Sequence, residues 1–171
     1  MDYIDFDGVI LDTEENLFRD WRKNPNYKML SENTKINYIQ NVDWHSILLN
    51  SQIINDSIYY LKQMDPTTSA ILTRIHSLEN EGGEKVKFIR SHGIKQPIIL
   101  NPYNVEKCDM VDPVGSRLVD DNLWNLVGWE EKGGIPIFFD MDDNNIDSWN
   151  RENTYGYKRV LDLSSLLNRR G

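Results

Sequence analysis

The chain has 171 residues, is 39% hydrophobic and 11% aromatic, and carries 19 basic against 27 acidic side chains, a net charge of -8. That length holds one domain with room for a modest insertion, and the composition excludes a disordered tail. The negative field repels polynucleotide phosphate and so excludes a nucleic acid polymer as partner, while a small phosphate ester can still meet a locally positive pocket.

Residues 2–5 begin an extended run that Gly8 breaks. The stretch from about 14 to 63 follows, with apolar side chains such as Leu17, Phe18, Ile36, Ile39, Trp44, Ile47, Leu48, Ile58 and Leu61 at spacings of three and four. It reads as three or four short helices. Residues 69–72, 97–100, 116–119 and 135–139 are short apolar segments bounded by turn or polar residues, the pattern of strands buried on both faces of a parallel sheet. Helices over residues 80–92 and 122–131 separate them, and residues 158–163 form a last strand before a short helix to Leu167. Alternation of this kind predicts an α/β fold, a doubly wound and mostly parallel sheet. Residues 1–13 and 64–171 form the core, and residues 14–63 a helical insertion too long for a simple crossover.

The segment Tyr3-Ile4-Asp5-Phe6-Asp7-Gly8-Val9-Ile10-Leu11-Asp12-Thr13 carries the chemistry. Two carboxylates two residues apart, at the end of a buried strand, meet at one point. Phosphoryl transfer to a carboxylate needs such a pair. One ionised aspartate attacks phosphorus, and the other gives a proton to the leaving oxygen. For an isolated Asp-x-Asp a surface acidic turn is the better explanation. The apolar strand before this one and the Gly-Val-Ile-x-Asp-Thr after it turn the balance.

The segment resembles motif one of the haloacid-dehalogenase-like superfamily, and three matching motifs follow in order. Thr73 ends the second strand with a hydroxyl, Lys107 follows the third, and Asp120 and Asp121 end the next. All four sets fall at the C-terminal ends of strands, where open α/β sheets bind ligands. The resemblance implies Asp5 as nucleophile and Mg²⁺ ligand. It makes Asp7 the general acid/base, lending its backbone carbonyl to the metal, and Thr73 and Lys107 phosphate-binding. Asp120 and Asp121 complete the metal site, with Asp121 the direct ligand and Asp120 acting through water or by holding Lys107, or the two exchanged. Arg74 is a further candidate for the substrate anion. Mg²⁺ suits such a set, because it takes oxygen ligands and keeps several waters.

Lys85 and Lys87 rival Lys107. Set among Glu79, Glu81 and Glu84, they read as a solvated helix face. His76 lacks a second histidine or cysteine at ligand spacing and reads as a loop residue. The stretch from Asp140 to Arg151 resembles a calcium loop but lacks its glycine and its last acidic ligand, so it reads as an acidic surface turn.

The resemblance implies a phosphatase acting on a small-molecule phosphate ester. Displacement of halide needs no proton on the leaving group, so Asp7 favours the phosphoester. The position of the insertion and the stretch Leu-Val-Asp-Asp-Asn-x-x-Asn-Leu-x-x-Trp are similar to the deoxyribonucleotidase branch, which points to a nucleoside monophosphate. A phosphotransferase or mutase, or a non-catalytic phospho-ligand binder, are the alternatives. Cys108 is the single cysteine, which excludes an intrachain disulfide. No membrane span and no leader are legible, so a soluble cytoplasmic protein is expected.

Overall fold

The computed structural model describes residues 1–23, 29–141 and 156–167. A six-stranded sheet forms its centre, built from β1 (Asp2–Ile4), β4 (Ser69–Ile75), β5 (Ile98–Pro102), β6 (Arg117–Asp120), β7 (Ile135–Phe139) and β8 (Lys158–Val160). Across the sheet they lie in the order β5-β4-β1-β6-β7-β8. Every neighbouring pair is parallel. From β1 the chain runs outward on one side through β4 and β5, then returns to build β6, β7 and β8 on the other. This reversal opens a crevice at the carboxyl ends of the central strands, the usual ligand site of such sheets.

Alternation along the strands builds two cores. Ile4, Ile71, Val119, Ile137 and Phe139 face one hydrophobic cluster, while Tyr3, Ala70, Leu72, Leu118 and Phe138 face the other. Because both faces are covered, these strands are continuous apolar runs, as the sequence predicts. On the first face lies Ile89 of α5 (Gly83–Ser91); on the second lie Leu126 and Trp129 of α7 (Leu123–Glu131). A four-residue helix, α6 (Lys107–Met110), follows β5.

The excursion after β1 contains α1 (Glu14–Arg22), α2 (Glu32–Asn41), α3 (Trp44–Asn50) and α4 (Ser57–Gln63). Ser31 and Asp43 cap α2 and α3 by accepting from the backbone N–H groups of Thr34 and Ser46. A short antiparallel ribbon of β2 (Leu11–Asp12) and β3 (Gln52–Ile53) ties the two ends of the α1–α3 segment together. Helix α4 follows the ribbon. Ser57 Oγ donates to the Ile10 carbonyl, and Gln96 Nε2 donates to the carbonyls of Leu61 and Met64. These bonds tie α4 to the chain around β1 and to the loop before β5. Among the described residues no helix is long and apolar enough to cross a membrane. The calcium-like stretch and the aromatic side chains Trp149 and Tyr155 lie outside the described residues, apart from Asp140 and Met141.

Candidate active site

Asp5 follows β1 directly and is buried. Its Oδ1 accepts from the Phe6 N–H at 2.7 Å and pairs with Lys107 Nζ at 2.7 Å, while Oδ2 carries no hydrogen bond among the described residues. Asp7 begins the turn at Gly8. Its Oδ1 accepts from Thr13 Oγ1 at 2.7 Å, and its Oδ2 pairs with Lys85 Nζ at 2.5 Å. Gly8 has φ of 72°, and a Cβ there would stand 2.0 Å from Asp121 Oδ2. Glycine is therefore required twice, once for the left-handed backbone and once for the approach of the acidic strand end.

At the end of β6, Asp120 is fully buried. Its Oδ2 pairs with Lys107 at 2.7 Å, its Oδ1 accepts from the Asn122 N–H at 2.8 Å, and Asn125 Nδ2 reaches both oxygens at 3.0 and 3.1 Å. With its oxygens engaged in this way, Asp120 is the group that holds Lys107. Asp121 is exposed and lines the cavity beside Asp5 and Asp7. Asp5, Asp120 and Asp121 each offer an oxygen within 4.8 Å of the others, the one such group of metal-ligating type among the described residues.

The electrostatics follow from this crowding. Withdrawal from water pushes the Asp5 carboxyl up to about 7, with Asp120 and Asp7 adding to the rise and Lys107 opposing it. Enclosure by the surrounding protein, then Asp120 and Asp5, push Asp121 well above the usual carboxylate range, although its side chain keeps contact with solvent. Burial alone would lower Lys107, but Asp120 and Asp5 outweigh it and hold its ammonium above the ordinary value. Three carboxylates thus share one lysine. An excess of clustered, partly desolvated oxygen ligands is what a hard divalent cation neutralises, so this donor set fits Mg²⁺.

Asp5, Asp7 and Asp121 line a cavity of about 250 Å³ with Arg74, His76, Glu81, Asn122 and Asn125, and with Leu17, Phe18, Ile39 and Trp44 of α1–α3. A larger cavity of about 480 Å³, between α3 and α5, contains none of the predicted site residues. The predicted site residues therefore gather at the smaller one.

Asp5, Asp7, Lys107, Asp120 and Asp121 come together as the sequence predicts. Thr73, expected to end its strand, lies within β4, which runs on to Ile75; it is fully buried, its hydroxyl 3.2 Å from Lys85 Nζ, and it does not line the cavity. Arg74 lines the cavity, and its Nε is shielded from solvent without a hydrogen-bond partner. The reading of Lys85 as part of a solvated face is corrected, because Lys85 is fully buried against Asp7 and Glu81. Lys87 is exposed and paired with Glu84, as that reading expects. Residue types alone did not mark Glu81 or Asn125. The signals were the Glu81–Lys85 spacing of four and the asparagine five residues after Asp120.

Comparison with solved structures decides the fold. A haloacid dehalogenase-like hydrolase family protein from Streptococcus pneumoniae superposes with a TM-score of 0.63 at 13% identity, covering 96% of this chain and 95% of that one. The chain has the haloacid dehalogenase-like fold. D,D-heptose 1,7-bisphosphate phosphatase from Burkholderia thailandensis shares this fold at a TM-score of 0.53 and 13% identity, over 97% and 94% of the two chains. So does a structure described as a dehalogenase, at 0.59 and 16%, over 96% and 94%. No family model matches the chain, and no curated protein matches it in sequence. The haloacid dehalogenase-like fold therefore hosts phosphoester and carbon–halogen chemistry alike among these neighbours, and the site must separate them.

Proposed function

We propose that the protein is a Mg²⁺-dependent phosphatase of small phosphomonoesters, working through a phosphoaspartate on Asp5. The observation that carries this reading is Asp7, a second carboxylate two residues after Asp5 that lines the same cavity. Halide leaves without a proton, whereas an alkoxide needs one.

Asp5 Oδ1 is fixed by Phe6 and Lys107, which leaves Oδ2 to attack phosphorus. As the Asp5–phosphorus bond forms, the bond to the ester oxygen breaks, and protonated Asp7 gives its proton to the departing alcohol. Asp7, now ionised, takes a proton from water as that water attacks phosphorus. The acyl phosphate bond breaks, and Asp5 and inorganic phosphate are released. Lys107 offsets negative charge on Asp5 and the transferring group, with Asp120 fixing its position. Arg74 lines the cavity with a guanidinium that also reaches Asn125 and Glu106, and we assign it to the substrate anion. Asp5, Asp121 and the Asp7 carbonyl would hold Mg²⁺ directly, with Asp120 holding Lys107 and reaching the metal only through water, and the metal when bound would neutralise charge on the phosphoryl oxygens.

The helices α1–α3, bracketed by the β2–β3 ribbon, act as the cap. Phe18 and Trp44 bound the cavity and supply apolar area for a sugar or base, while a folded phosphoprotein does not fit about 250 Å³. A nucleoside monophosphate is the first candidate substrate. Hydrolysis of a panel of 5′- and 3′-nucleoside monophosphates, sugar phosphates, phosphoserine peptides and 2-haloacids in Mg²⁺ tests the reading. The expected order places small phosphomonoesters first, with no halide released. Preferred turnover of a phosphopeptide would remove the cap assignment, and halide release would remove the phosphatase.

The role of Asp7 has its own signature. Asp7→Asn should lower kcat/KM by about 10²–10⁴ for alkyl phosphates, and by at least tenfold less for p-nitrophenyl phosphate, whose leaving group hardly needs a proton. Equal losses on the two ester types would take Asp7 out of proton transfer.

A further inference from the structure

Lys85 has no part in the steps above, yet its ammonium is buried beside them. Nζ stands 2.5 Å from Asp7 Oδ2, 2.7 Å from Glu81 Oε1, 2.9 Å from the Arg74 carbonyl and 3.2 Å from Thr73 Oγ1. It also lies 5.5 Å from the ring centre of Phe6 and 5.1 Å from that of Trp44. Lys85 is fully buried and does not line the cavity, so it touches no substrate directly. Burying an ammonium is unfavourable unless partners compensate for the lost water. Glu81, one helical turn away, already balances its charge. The reach to Asp7, from a helix on another part of the chain, is what remains to be explained.

The surrounding structure makes Lys85 a rigid post. Residues Leu78–Gly82 form a π-helical turn, a distortion that gathers at functional sites, and Glu81 lies buried within it. Glu81 Oε2 accepts from the His76 N–H at 2.7 Å, and the His76 ring stacks on Tyr103 at 5.3 Å. Asn80 of the same turn donates to the carbonyls of Gln40 and Val42 at 3.0 and 2.9 Å, joining the turn to the end of α2. Burial would raise the Glu81 carboxyl, but Lys85 and His76 outweigh it and keep it low, so it stays an anion and keeps Lys85 in place. Asp7, by contrast, sits on a turn. Its other oxygen is held by Thr13, a residue of its own loop.

We propose that Lys85 is a positioning residue for Asp7. Anchored through Glu81, its ammonium fixes Oδ2 while Thr13 fixes Oδ1, so the Asp7 carboxyl group meets the leaving oxygen in one orientation. This rests on the phosphatase reading and adds to it a residue that acts only through Asp7.

The test compares Lys85→Met, Asp7→Asn and the double variant on p-nitrophenyl phosphate and glycerol 2-phosphate, with thermal melts to confirm folding. Lys85→Met should lose at least tenfold more kcat/KM on glycerol 2-phosphate than on p-nitrophenyl phosphate. Added to Asp7→Asn it should cost less than about twofold further, because the group it positions is already gone. Lys85→Met leaves Glu81 buried without its cation, so Lys85→Met with Glu81→Met, which removes both charges, is measured alongside and should show the same leaving-group bias. Equal losses on the two esters, or full additivity with Asp7→Asn, would overturn the proposal. Failure of both lysine variants to fold would assign Lys85 to core stability and overturn it equally. If the unaltered protein turns over neither ester, the phosphatase reading falls, and the positioning role falls with it.

Discussion

Asp5→Asn should abolish turnover, by about 10⁴-fold or more, because an amide oxygen cannot form the acyl phosphate. Rapid quenching of the unaltered protein with labelled substrate should trap an acid-stable, base-labile phosphate on Asp5, and the variant should trap none. The variant should also fold. Lys107 keeps Asp120 as a partner, and the amide oxygen of the introduced side chain can still accept from the Phe6 N–H. Stability gives an independent reading of the same residue. The Asp5 carboxyl is raised to about 7 in the fold. Unfolded, it returns to about 3.9. Between these values the folded state binds more protons than the unfolded one, so metal-free stability falls as pH rises from about 4 to 7. The loss across that range should be on the order of 4 kcal/mol, or about 8–16 °C in Tm. Asp5→Asn should lack that part of the slope. Full activity in Asp5→Asn would end the proposed mechanism, and an unchanged pH slope would show that Asp5 is not the strained group.

Metal removal has the second large expected effect. Excess chelator should abolish hydrolysis, Mg²⁺ should restore it, and Ca²⁺ should inhibit, because its larger and looser sphere can engage both oxygens of Asp5. The dependence on Mg²⁺ also carries a sign. Withdrawal from water raises both Asp5 and Asp121, and a cation must displace the protons they hold. Half-saturating Mg²⁺ should therefore fall as pH rises from about 6 to 8, and Mg²⁺ should raise Tm more at about pH 8 than at about pH 6. Asp121→Asn should raise the Mg²⁺ requirement by at least tenfold, whereas Asp120→Asn should chiefly lower kcat by loosening Lys107. Hydrolysis undiminished in chelator would remove the metal from the reaction.

The sequence by itself determined the sheet and the line of acids along its edge. A strand covered on both faces has nowhere to put a polar side chain, so 69–72, 97–100, 116–119 and 135–139 are legible as apolar runs. The carboxylates of Asp5, Asp120 and Asp121 are legible because each stands where such a run stops. Helical positions were less informative. Glu81 and Lys85, four residues apart, look the same whether the pair faces water or the core, since spacing reports a shared face and not what covers it. Only the tertiary structure, which packs Asp7 and Trp44 against that face, decided that Lys85 is buried. The choice of Lys107 over Lys85 as the partner of Asp5 was decided in the same way, by packing that sets α6 against Asp5 and Asp120. The difference between Asp120 and Asp121 has the same origin. Asp120 is the last residue of β6 and is held by Lys107 and Asn125, whereas Asp121 lies just beyond the strand and lines the cavity. The β2–β3 ribbon that brackets α1–α3 also waited on packing, because it is two residues long on each side and pairs residues about forty positions apart. Local sequence carries no trace of so distant a pairing.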